Sequence, residues 1–545
     1  MKKKTKNKIR IFVAIILSSI TVFVGIYTYG LFKLGFFKNH ADIEINELTK
    51  QQKIDDIKYL IDFVYANSPY VDFIHSEKGL KNIHPVERDF IQKAANSKNN
   101  REYLEVVLEY LMILQQIGHA GLLEISGKPN KSFDYWPMGL KYDLPAKSFN
   151  YQHYWNELSK QINAEKKWYH NELNTRYESG FYKVGLNNLD VPEGSILRSI
   201  DNIDVDSFVY SHWTSYILRF DTRLRKSFCF AADPLITNND TTKAKWKIDL
   251  TTPLKEHIIV DIPKLDGFKQ RSEIPNLDGN VKCVYLTPEV AYIKIKSFVN
   301  YPQYLNDFST IDSFLKASEG KIEKLIIDVR NNRGGAPKYW QKIFIERFIK
   351  NKQPYVQYAA IKKKAYGLLK ERRFIQRLFS SQDITQGKSE RISLNEIPLD
   401  IKKYNSLNDK EWYFFRNTIV FTPKKAFRFN GELFLIVDND CFSATEDFAR
   451  AVKQLKLMTI VGANTFGGAA VISEPWCFKL PYSHIIIRLE IQMAFNSDGS
   501  INSVYGTEPN IRLDNHQFPT PYHIGYEKKD LLKDDWINYI LQLND

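Results

Sequence analysis

At 545 residues with 43% hydrophobic and 14% aromatic content, the chain can build several packed cores, which excludes wholesale disorder and points to roughly two to four domains. The formal net charge of +13 raises nucleic acid as a partner, but no RNA- or DNA-binding motif accompanies the basic residues, so none is expected. Cys229, Cys283, Cys441 and Cys477 are scattered without metal-ligand spacing; no metal or organic cofactor is implied, and one or two disulfides stay open.

The amino end is basic, with Lys2, Lys3, Lys4, Lys6, Lys8 and Arg10, and an apolar stretch follows from Ile11 to about Phe32. That length suits a bilayer-crossing helix, and the charge bias predicts a cytoplasmic tail (1–10), a transmembrane signal anchor (11–32) and an extracytoplasmic remainder on the cell membrane. No small-x-small cleavage site is present, so the anchor is expected to stay uncleaved. From 33 to 125, Ile54, Ile57, Leu60, Ile61 and Val64, then Leu104, Val107, Leu108, Leu111 and Leu114, recur at helical spacing. This helical region ends in LQQIGHAGL, where His119 stands between two glycines. A histidine there is either a satisfied polar residue or a general base.

Between 135 and 227 the pattern changes to short strand-like pieces, predicting a small β subdomain. Its GSILRSIDNIDV string resembles the end of a PDZ domain, which would bind an extended peptide as an added strand. From 245 to 520, KLIIDV, ELFLIV and MTIVGA alternate with helical or glycine-rich sequence, which predicts an α/β core. Residues 350–430 fit that pattern poorly and read as an insertion or lid. Its basic run Lys362–Arg377 is either a solvated face or a surface for anionic lipid. Residues 521–545 read as a tail.

Two turns in the core carry chemistry. KLIIDVRNNRGG ends a strand in Gly334 and Gly335, a pair that permits positive φ and close approach to a ligand, or simply makes a tight turn. ELFLIVDNDCFSATEDFARAVKQ runs a strand through a short turn into an amphipathic helix with Ser443 at the junction. Such a serine is either a nucleophile beside unpaired helical N–H groups or the first member of a Ser443–Glu446 capping box.

In order, IIDVRNNRGG, DNDCFSATEDFA, IVGANTFGGA and YGTEPNI, with IGHAGL and AYIKIKSF upstream, resemble the signature of the C-terminal processing (tail-specific) serine peptidases, in the branch that includes tricorn protease. The resemblance spans about 50 to 515. It implies a crotonase/Clp-protease-like β/α core, Ser443 as nucleophile rather than the nearby Cys441, and oxyanion donors at Ala444 and either Gly334 or Gly335. Bacterial members pair the serine with a lysine after T-F-G; here Gly468 stands there, so His119, in the tricorn-like histidine position, becomes the expected base.

Gly118 replaces the serine that supports that histidine, and no acid lies near Ser503, where the late glutamate is expected. Glu508 is the remaining candidate to orient His119 or bind a substrate amine, against the reading of a solvated loop residue. Glu446 is assigned to capping. The implied function is a membrane-anchored serine peptidase acting on exported polypeptides through an acyl-enzyme. Its alternative is a non-catalytic relative that binds peptides, or apolar ligands as interphotoreceptor retinoid-binding protein does.

Overall fold

The apolar periodicity at the amino end builds helices that pack directly onto the strands carrying the site. The computed structural model describes residues 2–37, 45–71, 73, 84–125, 134–165, 169–170, 173–178, 180–185, 187, 189–211, 218–229, 244–263, 265–266, 279–369, 387–424, 429–513 and 525–543, with backbone alone for 2–17, 84–86, 117, 169–170 and 265–266. Helix α1 (Lys2–Lys33) contains both the basic flank and the apolar run. Among the described residues no helix is long and apolar enough to cross a membrane; the expected anchor starts at Ile11, and its side chains up to residue 17 lie outside the described residues.

Helix α2 (Lys50–Asn67) starts at a capping box of Thr49 and Gln52 and buries Ile57, Leu60, Ile61 and Val64. It is followed by α3 (His84–Asn96) and α4 (Asn100–Leu114), the latter capped by Asn99, which accepts from the Glu102 amide at 2.9 Å. A short turn and Gly118 then lead into strand β1 (Ala120–Leu122). This region is not a separate domain. Its buried Leu60, Tyr103 and Leu111 share one cluster with Phe478, Ile487 and Leu489 near the far end of the chain, and Phe63 stacks on Phe478 with ring centroids 3.7 Å apart.

The stretch expected to be strand-like from 135 opens instead with a short helix, Trp136–Tyr142, followed by a 20-residue helix, α5 (Ala146–Glu165). Its buried face mixes Phe149 and Trp155 with Asn150, Gln152 and Asn156, so hydrophobic period alone does not reveal it. Gln152 belongs there because its amide bonds the Leu123 carbonyl at 2.8 Å and accepts from the Ile486 amide at 2.5 Å. An antiparallel sheet follows through Arg176–Glu178, Phe181–Lys183, Ile196–Ile200, Lys245–Thr251 and His257–Pro263. The small β unit therefore extends past residue 245, and the core begins later than the alternation suggests.

That core holds β2 (Val281–Tyr285), β3 (Val290–Ile295), β4 (Lys324–Asp328), β5 (Glu432–Val437) and β6 (Thr459–Gly462). Strands β7 (Trp476–Lys479), β8 (Ile486–Leu489) and β9 (Ile511–Arg512) come after it. The main sheet has the order β2-β3-β4-β5-β6-β9, antiparallel only between β2 and β3. Both faces are covered, as a parallel sheet requires. Leu325, Ile327 and Leu435 face helix α6 (Ala444–Leu455) through Phe448 and Val452, while Ile326, Ile436 and Val461 face Trp536 and Ile540 of helix α7 (Asp535–Gln542). The expected carboxy-terminal tail thus includes a core helix.

The 350–430 insertion is a second sheet. It runs antiparallel in the order Lys388–Ile392, Trp412–Phe421, Gln353–Lys362 and Gln492–Phe495, the last being the segment that follows β8. Strand β8 itself sits between β1 and β7 in a three-stranded antiparallel sheet.

Candidate active site

Strand β5 turns into α6 through Ser443, whose φ of 60° and ψ of −120° are sparsely populated for any residue with a side chain. Holding it there costs about 1–3 kcal/mol, the strain of a nucleophile elbow. The elbow is fastened by its own backbone: the Ser443 amide bonds the Gly467 carbonyl at 3.0 Å. Its hydroxyl makes no cap bond, so the capping box does not form. Glu446 is correspondingly not a cap residue. It is buried and accepts from Asn502 Nδ2 and Thr507 Oγ1, each at 2.5 Å, and from the Thr465 hydroxyl, tying α6 to the loops beyond it.

Instead of capping, Ser443 Oγ lies 3.1 Å from His119 Nε2. Strand pairing brings the histidine there. Ala120 is opposite Leu489, and one step further His119 is opposite Glu490, whose amide bonds the His119 carbonyl at 2.7 Å. Directly opposed residues of an antiparallel pair share a face. The side chains meet there, with His119 Nδ1 2.8 Å from Glu490 Oε2.

The carboxylate that orients the histidine is therefore Glu490 and not Glu508. Glu508 is exposed, and its backbone carbonyl accepts from Lys453 Nζ at 2.6 Å. It lines a separate cavity of about 700 Å³ together with Arg225, Tyr404, Arg450 and Tyr505. Ser503, where an acid was sought, hydrogen-bonds the Tyr70 hydroxyl at 2.8 Å. Glu490 lies in the alternating string IIIRLEIQMAF, and only its register against β1 marks it as functional.

Burial governs the electrostatics. His119 and Glu490 have side chains only 8% and 3% exposed. Desolvation pushes the imidazole pKa below its ordinary 6.5, the Glu490 carboxylate counters in part, and Arg488 adds to the lowering. The ring is thus neutral at neutral pH and able to accept a proton. Phe442 packs against it with ring centroids 4.5 Å apart, while Ser443 stays only partly buried.

The glycine turn docks onto the elbow through Asn332. Its buried side-chain oxygen accepts from the Gly334 amide at 2.9 Å and from Thr445 Oγ1 at 2.7 Å. Below it, the Asp438 carboxylate accepts from the Asn331 and Asp440 amides. Gly334, with φ of 98°, lies so close that a Cβ there would be 2.8 Å from the Ala444 nitrogen. Its N–H is committed to Asn332. Among the described residues the N–H groups of Gly335, which is exposed, and of Ala444 have no acceptor.

All four cysteines are unpaired with one another. Cys441 points into the core, where its thiol donates to the Val329 carbonyl at 3.1 Å and burial pushes its pKa well above the ordinary value. Among the described residues no group of three histidines, cysteines or carboxylates could hold a metal.

The model of peptidase family S41 matches residues 289–513. Among solved structures, mature CPAF is 11% identical over 85% of this chain and 93% of its own, with a TM-score of 0.47. The photosystem II D1 C-terminal processing protease is 12% identical over 89% and 97%, with a TM-score of 0.37. Tricorn protease is 12% identical over 90% of this chain and 36% of its own, with a TM-score of 0.30. No curated protein matches the sequence significantly.

Proposed function

Because residues 289–513 are a peptidase family S41 segment and the chain is a serine-type peptidase, we propose that it hydrolyses polypeptides through an acyl-enzyme on Ser443. The single observation that carries this reading is the continuous pair of contacts from Ser443 through His119 to Glu490. Neutral His119 takes the hydroxyl proton as Ser443 attacks the scissile carbonyl. Glu490, whose Oε2 accepts from Nδ1, fixes the tautomer that leaves Nε2 free and stabilises the imidazolium as it forms. The N–H groups of Ala444 and Gly335 receive the oxyanion; as it collapses the C–N bond breaks and His119 gives its proton to the departing amine, and water, with His119 again as base, then releases the acyl group and restores the Ser443 hydroxyl.

A fluorophosphonate probe tests it. Labelling of the wild type that disappears in Ser443→Ala and His119→Ala supports the reading. A wild type that is neither labelled nor active on denatured polypeptides overturns it and leaves a ligand-binding role.

Two finer elements belong to the same proposal. Membrane anchoring with an extracytoplasmic catalytic part rests on the basic flank and on the apolar run in α1, whose Val22, Ile26 and Phe32 are exposed. Recovery of the full chain in the soluble fraction, with no change on deletion of residues 2–29, would refute it. A PDZ-like role for the small sheet rests on its exposed edge strand His257–Pro263. Unchanged KM for long substrates after proline substitution at Ile259 would count against it.

A further inference from the structure

Two exposed arginines flank the Ser443–His119 pair. Arg333 immediately precedes Gly334, at which a methyl group would lie 2.9 Å from Ser443 Cβ. Its side chain is 71% exposed, and its partner is Asp440, Oδ1 at 3.2 Å. The same carboxylate also holds Arg219, which is largely buried and stacks on the Phe466 ring. One carboxylate thus serves two guanidiniums and keeps Arg219 when Arg333 leaves.

On the other side, Arg488 stands two residues before Glu490 and therefore on the same face of β8, opposite Gly121. It is exposed and has no ion pair among the described residues. Its charge is felt by His119. The carboxylates around the elbow are turned inward and engaged: Glu490 with His119, Glu446 with Asn502 and Thr507, and Asp438 with backbone amides. Asp440 is shared between Arg219 and Arg333, so Arg333 and Arg488 are the cations left facing outward beside the elbow.

We propose that Arg333 and Arg488 are specificity-determining residues that select polypeptides with an aspartate or glutamate within about two residues of the scissile bond, the span an arginine side chain covers along an extended chain. Arg333 serves the oxyanion side and Arg488 the histidine side. The inference rests on the peptidase reading above. A guanidinium offers two parallel N–H donors that a carboxylate accepts one on each oxygen, whereas an amide side chain presents a single acceptor oxygen and an ammonium none.

The test uses the full chain and quenched-fluorescence peptides that differ only in carrying Glu, Gln or Lys on one side of the scissile bond. Wild-type kcat/KM is expected to favour Glu over Lys by about 10–100-fold, mainly through KM, and the preference shrinks as salt rises. Arg333→Gln and Arg488→Gln level the preference, each on its own side, and Arg333→Glu and Arg488→Glu invert it. Equal treatment of Glu and Lys peptides by the wild type overturns the inference, as does a fall in kcat that is the same for every peptide in the Arg333 variants, the mark of a mere elbow brace. Peptide binding to Ser443→Ala, followed by fluorescence anisotropy, separates the two claims. Tighter binding of Glu peptides by that variant, together with a wild type that no phosphonate labels, keeps this site and sinks the peptidase reading. Labelling without charge preference does the reverse.

Discussion

At Glu490 a single buried carboxylate decides how the histidine behaves. Glu490→Gln keeps the volume but can present an N–H to Nδ1 instead of an acceptor, so kcat is expected to fall by about 10²–10⁴, whereas Glu508→Gln changes it by less than about twofold. Steady-state kinetics on one peptide checks both. Because desolvation holds the His119 pKa below 6.5, the acid limb of kcat/KM lies below that value. The folded ring binds its proton less readily than the unfolded one, so this group also withdraws stability as pH falls below about 6.5. An acid limb at or above 6.5 in a pH profile would contradict the assignment.

Gly118 has φ of 134°, and a Cβ there would meet Tyr70 Cε2 at 3.2 Å and Glu490 Cβ at 3.5 Å. A side chain at this position would press on the Tyr70 ring and hold a backbone conformation that residues with a Cβ rarely adopt. Gly118→Ser is expected to destabilise by about 1–3 kcal/mol and to reduce activity, measurable as a lower Tm together with a lower kcat.

Among the elements, the glycine turn and α6 work as one piece because Asn332 grips both. Asn332→Ala leaves the Gly334 amide and the Thr445 hydroxyl without their acceptor, at about 1–3 kcal/mol. The expected result is slower phosphonate labelling of Ser443, by about 10–100-fold, with KM changed far less. Strand register acts in the same way on the histidine. The pairing of β1 with β8 sets His119 and Glu490 on one face, and a one-residue slip would turn Glu490 away.

For the whole molecule, the site is assembled from both ends of the chain. His119 arrives with helices whose buried residues pack against Phe478, Ile487 and Leu489. A chain reduced to residues 279–543 loses the base and exposes those apolar side chains. It is expected to aggregate and to resist labelling; a soluble, labelled fragment would refute the dependence on the amino-terminal region.

Sequence alone determined the local units: the elbow around Ser443, the Gly334–Gly335 turn, the α2 and α4 stripes and the buried strands β4 and β5, because turn residues and hydrophobic period are properties of neighbours in the chain. Helix α5 was illegible because its buried face is partly polar, and α7 because nothing near residue 535 announces a sheet to cover. Only the tertiary structure decided that Ser443 meets His119 instead of capping α6, and only it put Glu490 rather than Glu508 beside the imidazole. A hydrogen bond to His119 from a residue 371 positions away depends on strand register, which local composition does not encode.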